Sequence, residues 1–176
     1  MAGTWQAFEQ VIEVREAKLD DADAVAAIYA HHVLHGTASF DEFPPSASVW
    51  REKIATIEAR GWPFIVAASG EAIFGYAYAT QFRDRPAYAF TCENSIYVHP
   101  DHVGRGIGRR LLADLVAAAR EAGFRQMIAV IGGAEPASAT LHRSCGFAQA
   151  GRMQAVGFKF GRWLDTLYMQ RRLDDD

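Results

Sequence analysis

Residues 93–112, ENSIYVHPDHVGRGIGRRLL, constrain the fold more than any other stretch. Glu93, Ser95 and Tyr97 alternate with Asn94, Ile96 and Val98, the two-residue period of a β-strand. Pro100 and Asp101 break it. Gly104, Gly106 and Gly108 follow at every second position, and an apolar helical pattern begins at Ile107. A strand feeding a glycine turn at a helix N-terminus leaves several backbone N–H groups unpaired. Glycine lets a ligand approach them closely, and the helix dipole favours an anion there. The stretch reads either as a phosphate cradle or as a plain tight turn. It is not the dinucleotide-binding GxGxxG, since it runs GxGxG after a central strand, and Gly108-Arg109 does not supply the Gly-Lys of a P-loop.

Around this centre the pattern alternates between strands and helices. Residues 11–15 alternate as a first strand. Asp20 or Asp21 can cap a helix carrying Val25, Ile28, Tyr29, His32 and Val33, which Gly36 ends. Residues 37–46 form a loop whose Phe40 and Phe43 either wall a pocket or anchor the loop. Ser46 or Ser48 can cap a second helix, closed by Gly61. Residues 63–68 and 72–80 read as a hairpin, 82–86 as a charged loop and 88–98 as the next strand. Ile107, Leu111, Leu112, Leu115, Val116 and Ala119 make the apolar stripe of a third helix, with Gly123 at its end. A buried strand at 127–131 and a short helix from Pro136 follow, then closing strands at 147–158 and 162–173. The class is α+β, with one mostly antiparallel sheet and helices on its faces. Residues 1–10 are expected to be a loosely held tail, and 11–176 one domain.

Composition narrows the function. With 176 residues and half of them hydrophobic, the chain has an ordinary single core. A net charge of −3 argues against general nucleic-acid binding, although Arg105, Arg109 and Arg110 could hold a phosphorylated ligand. No apolar run has the length of a membrane span, and the first residues lack the basic start and apolar core of a signal peptide. Two cysteines without CxxC spacing fit a reducing, cytoplasmic setting.

Several side chains could carry chemistry. Glu93, in or near a central strand, would be desolvated and its pKa raised towards that of a general base; otherwise it is a solvated strand end. His142 is by itself an ordinary helix histidine. His31 and His35 have metal-compatible spacing but no third ligand, so no metal site is expected. Arg83 and Arg85 suit an oxyanion, or simply solvate a loop. A GxSxG elbow is absent, so no serine triad is supported.

Taken together these residues resemble the GCN5-related N-acetyltransferase (GNAT) superfamily. The resemblance rests on 96–100 (IYVHP), the 103–108 loop (VGRGIG) and 141–147 (LHRSCGF). It is closer still to the phosphinothricin and methionine sulfoximine or sulfone acetyltransferase family, through TASFDEFP (37–44), the 83–88 loop, ENSIYV (93–98), AVIGG (129–133) and VGFKFGRWLD (156–165). The resemblance implies a mixed sheet of about seven strands flanked by about four helices. It also implies acetyl-CoA as donor, the α-amine of a small amino-acid-like acceptor, a role in herbicide or toxin detoxification, and a homodimer. By the same resemblance Glu93 is the general base and His142 its catalytic partner at thiolate departure. Ile96, Tyr97 and Val98 would take the pantetheine arm and the thioester carbonyl. Val103, Gly104, Arg105, Gly106, Ile107 and Gly108 would hold the pyrophosphate, with Glu135 and Ser138 beside the cofactor. Phe40, Arg83, Arg85, Tyr88 and Ser95 would line the acceptor site, and the C-terminal motif would reach the partner's pocket. Val103 replaces the usual Gln or Arg, sparing the backbone donors. Glu135 replaces the usual Asn, removing an amide near pantetheine and adding a negative charge. Two other readings compete: acetylation of a peptide N-terminus, lysine or polyamine, and a non-catalytic CoA-binding module.

Overall fold

The alternating and helical runs assemble, in a computed structural model that describes residues 11–174, into one seven-stranded sheet between two pairs of helices. In chain order the elements are β1 (Glu13–Glu16), α1 (Ala22–His35), α2 (Ala47–Ala59), β2 (Phe64–Ser69), β3 (Ala72–Gln81), β4 (Thr91–Val98), α3 (Ile107–Glu121), β5 (Gln126–Gly132), α4 (Pro136–Ser144), β6 (Ala148–Lys159) and β7 (Arg162–Arg172). The strand order is β1-β2-β3-β4-β5-β7-β6. All neighbours are antiparallel except β4 and β5. A parallel pair needs a crossover, and α3 supplies it. The expected α+β class, its strand number and its helices are all present. The expected tail at 1–10 lies outside the described residues.

Each face of the sheet has its own core. The apolar stripe of α3 buries Ile107, Leu111, Leu112, Leu115, Val116 and Ala119, as the 3.6-residue period predicts. It packs with Met127, Met169 and Phe147 on one face. On the other face, α1 and α2 bring Val25, Ile28, Trp50 and Ile54 against Phe64, Tyr76 and Tyr78.

Three local expectations are corrected. Residue 88 does not begin β4: Pro86–Tyr88 is a 3-10 turn, closed by the Ala89 N–H on the Pro86 carbonyl, and the strand starts at Thr91. Asp21 sits at the N-cap of α1 but does not cap it. Its carboxylate instead takes a two-pronged bond from Arg15, at 2.8 and 2.9 Å, and the Lys18 N–H at 2.7 Å. Ser46 likewise starts α2 with its hydroxyl turned to Ser48, 2.8 Å away.

The feature that positions the site is an incomplete pairing. β4 and β5 share only Thr91↔Gln126 through Asn94↔Ala129. β4 then runs on to Val98 against β3, and β5 to Gly132 against β7. Beyond Asn94 and Ala129 the two strands part, and their facing backbone groups need other partners.

Candidate active site

A cleft of about 600 Å³ opens at this parting. Its walls are His32 and residues 36–38 at the end of α1, Ile96, Tyr97 and Val98 of β4, the glycine turn, and Glu135, Ala137, Ser138 and Leu141 at the start of α4. Val103, Gly104, Gly106, Ile107 and Gly108 all line it, whereas Arg105 does not. Gly104 and Gly106 adopt φ of 79° and 80°, a left-handed conformation that favours glycine, and Gly106 is the N-cap of α3. The turn thus presents the first N–H groups of a 15-residue helix to the cleft, without a side chain in front of them. His32 on α1 donates from Nε2 to the Val98 carbonyl at 2.8 Å, pinning the strand end where the turn begins.

A smaller cavity of about 260 Å³ adjoins the cleft, sharing Ala38, Ile96, Tyr97 and Ser138. Phe40, Glu93, Ser95 and His142 line it. Glu93 keeps 32% of its side-chain surface exposed, with Arg83 Nη1 4.0 Å from Oε2. Burial pushes its carboxyl above the ordinary glutamate value, while Arg83 and Lys53 pull the other way. Arg83 is itself outside the cavity lining, with its guanidinium over Phe82. Arg85 and Tyr88 are outside the cavity lining: the Arg85 carbonyl accepts from Gln81, and Tyr88 packs edge-on to Phe82.

His142 comes from α4 and is 2% exposed. Its Nδ1 lies 2.8 Å from the Ser138 carbonyl, which can only accept, so Nδ1 carries the proton. Nε2 of the neutral ring is then an acceptor, 3.2 Å from the Asn94 amide nitrogen. Burial lowers the pKa of the ring, partly offset by the bond to Ser138.

Residues 38–40 of the 37–46 loop line the smaller cavity. Tyr29 donates to Asp41 at 2.7 Å and accepts from Ser39 at 2.7 Å, and the Asp41 N–H returns to the Ser39 hydroxyl at 3.1 Å. Phe40 lies across β6 so closely that a Cβ on Gly157 would stand 2.3 Å from its ring. Register brings Gly157 there: β6 bulges at residues 154–156 opposite Asp165, which accepts the Ala155 N–H at 2.9 Å and Arg152 Nε at 2.7 Å.

The sequence profile of the Acetyltransferase (GNAT) family matches residues 23–147, most of this chain. The chain belongs to that family. It is 49% identical to phosphinothricin N-acetyltransferase of Alcaligenes faecalis over 92% of this chain and 82% of the relative. It is 39% identical to the L-methionine sulfoximine/L-methionine sulfone acetyltransferase of Salmonella typhimurium, over 92% and 95%. A crystal structure of a phosphinothricin acetyltransferase from Sinorhizobium meliloti in complex with AcCoA superposes with a TM-score of 0.89 at 48% identity, covering 92% of this chain and 88% of that one.

This GNAT acyltransferase therefore brings Glu93, Ser95, Ile96, Tyr97, Ser138, His142 and Phe40 around one cavity, and leaves Arg83, Arg85, Tyr88 and Arg105 outside the linings. Sequence reasoning missed Asn94, His32 and Ser39. Asn94 carried a signal: a polar amide in a strand alternation at a position that proves 6% exposed. His32 and Ser39 carried none, because their partners lie far along the chain or in an irregular loop. Among the described residues no cluster of three metal-ligating side chains occurs, and His31 packs ring against ring with His35, 4.9 Å apart, and edge-on with His32. No helix among them is long and apolar enough to cross a membrane.

Proposed function

We propose that this enzyme moves an acetyl group from acetyl-CoA to the α-amine of a small amino-acid-like acceptor of the phosphinothricin, methionine sulfoximine or methionine sulfone type. The observation that carries this reading is the junction of the two cavities, with a desolvated Glu93 in the smaller one. A volume of about 260 Å³ suits a small molecule better than a peptide. Arg83, 4.0 Å from Glu93, suits the acceptor's acidic groups.

In this reading the glycine turn and the first turn of α3 hold the pyrophosphate, and the free edge of β4 from Ile96 to Val98 pairs with the pantetheine arm. Glu93 receives a proton from the acceptor's ammonium, directly or through water, freeing the nitrogen lone pair to attack the thioester carbonyl. Backbone N–H groups of the β4 edge face the oxygen that becomes negative. The tautomer of His142 supports a different role from the one implied by resemblance. Its neutral ring has no proton on Nε2 to give the thiolate, and burial disfavours adding one. We assign it to orienting Asn94 at the parting of the strands, with the thiolate protonated from solvent. Glu135, which makes no side-chain cap bond, lines the cleft, where its negative charge would oppose rather than aid binding of an anionic cofactor. Two free, buried cysteines fit the cytoplasm.

We further propose a homodimer through the β6–β7 edge. Phe158, Phe160 and Trp163 are more than half exposed there, beside Val156 and Met153. Trp163→Glu is expected to convert the dimer to monomer in sedimentation; a wild-type monomer at micromolar concentration rejects the proposal.

The decisive assay follows thiol release from acetyl-CoA with phosphinothricin, methionine sulfoximine and methionine sulfone, beside a peptide and a polyamine. No release with the first three rejects the acceptor class. A pH profile tests the base. Activity requires Glu93 as carboxylate, so kcat/KM falls as pH drops through its raised pKa. Arg83→Gln removes a cation that lowers that pKa, so the acidic limb is expected to move to higher pH. An unmoved limb separates it from Glu93.

A further inference from the structure

Lys159, at the end of β6, is the last residue before the tight turn of the closing hairpin, yet it is only 5% exposed. Lysines are seldom buried this far without partners. Its ammonium lies over the Phe160 ring, 5.0 Å from its centre, and donates to the Ser39 carbonyl at 2.7 Å and the Gly36 carbonyl at 3.1 Å, groups about 120 positions earlier in the chain. Those carbonyls bracket the turn out of α1. Phe40 follows them directly and lines the cavity that contains Glu93.

The same segment is held from the α1 side by Tyr29 through Ser39 and Asp41. Gly157, two residues before Lys159, leaves the space that the Phe40 ring occupies. The hairpin therefore supplies both a clamp on the loop backbone and a slot for its aromatic side chain. Neither contact touches the glycine turn.

We propose that Lys159 is a positioning residue for acceptor recognition: by holding the carbonyls of Gly36 and Ser39 it fixes the segment that sets Phe40 beside Glu93. This rests on the acceptor reading of that cavity. Lys159→Met keeps the apolar stem and leaves both carbonyls without their charged donor. Lys159→Arg restores a cation.

The test pairs kinetics with amide hydrogen exchange on the full-length protein. In Lys159→Met the acceptor KM is expected to rise at least about tenfold, and the acetyl-CoA KM by clearly less, since Gly36, Thr37 and Ala38 also line the larger cleft. Lys159→Arg should recover part of the acceptor KM. Exchange should quicken over residues 36–42 and stay unchanged over the glycine turn. An unaltered acceptor KM with unaltered exchange overturns the proposal. So does a Lys159→Met protein that fails to fold or weakens both substrates alike, since Lys159 would then be a general structural staple. If the wild type turned over no acceptor, the proposed activity would fall, and exchange over 36–42 would still decide whether Lys159 holds the loop.

Discussion

Glu93→Gln is expected to lower kcat by about 100- to 10,000-fold, the usual worth of a positioned general base, while the KM for acetyl-CoA stays close to wild type. Glutamine keeps the shape of the side chain and loses only its proton affinity. The fold should not suffer. Glu93 is 32% exposed on its side chain, and its one close ion pair is a 4.0 Å contact, the kind that contributes little to stability. Steady-state kinetics with each substrate varied in turn, beside a thermal melt, separates the outcomes. A variant whose kcat falls less than about threefold would remove Glu93 from proton transfer altogether. A loss confined to the acceptor KM would make it a binding group instead.

Gly157→Ala carries the second large effect. The added methyl would lie 2.3 Å from the Phe40 ring and 2.7 Å from the next ring atom, so the ring has to leave its slot. Phe40 is already 40% exposed, so the displaced ring meets solvent rather than another core. The acceptor then loses an aromatic wall worth about 1.5–3 kcal/mol when fully buried, which corresponds to a rise of about 10- to 100-fold in acceptor KM. Affinity for acetyl-CoA and the melting temperature should change little, because Gly157 touches neither the glycine turn nor the two cores. Varying both substrates and melting the variant checks this. Equal loss for donor and acceptor would show that the bulged strand, and not the Phe40 slot, had been disturbed.

Much of the fold was legible because it is written in local periods. The stripe of α3, the hairpin around Gly70 and the glycine turn each depend on neighbours a few residues apart. The start of β4 was misjudged because Pro86 closes a 3-10 turn that a window of β-prone residues conceals. The caps of α1 and α2 were misjudged because their polar side chains found better partners than the helix N–H groups. The candidate site was legible in part. Glu93 stood out as a carboxylate in a strand, and VGFKFGRWLD stood out as a motif. Its physical content did not, because it is long-range. Gly157 and Lys159 serve residues 36–40, and Asp165 serves a bulge whose existence depends on strand register. Nothing beside any of them in sequence announces that purpose.

The short pairing of β4 with β5 has a consequence for the protein as a material. Four residue pairs join a panel of β1 to β4 with a panel of β5 to β7, and past them the seam is unzipped. A ligand that pairs with the free edge of β4 acts as a splice, filling a missing rung of the sheet while bridging to α4. Occupancy and mechanical integrity then become one quantity. The loaded protein gains stability in proportion to the logarithm of ligand concentration over its dissociation constant. The empty one keeps only four residue pairs of backbone along that seam.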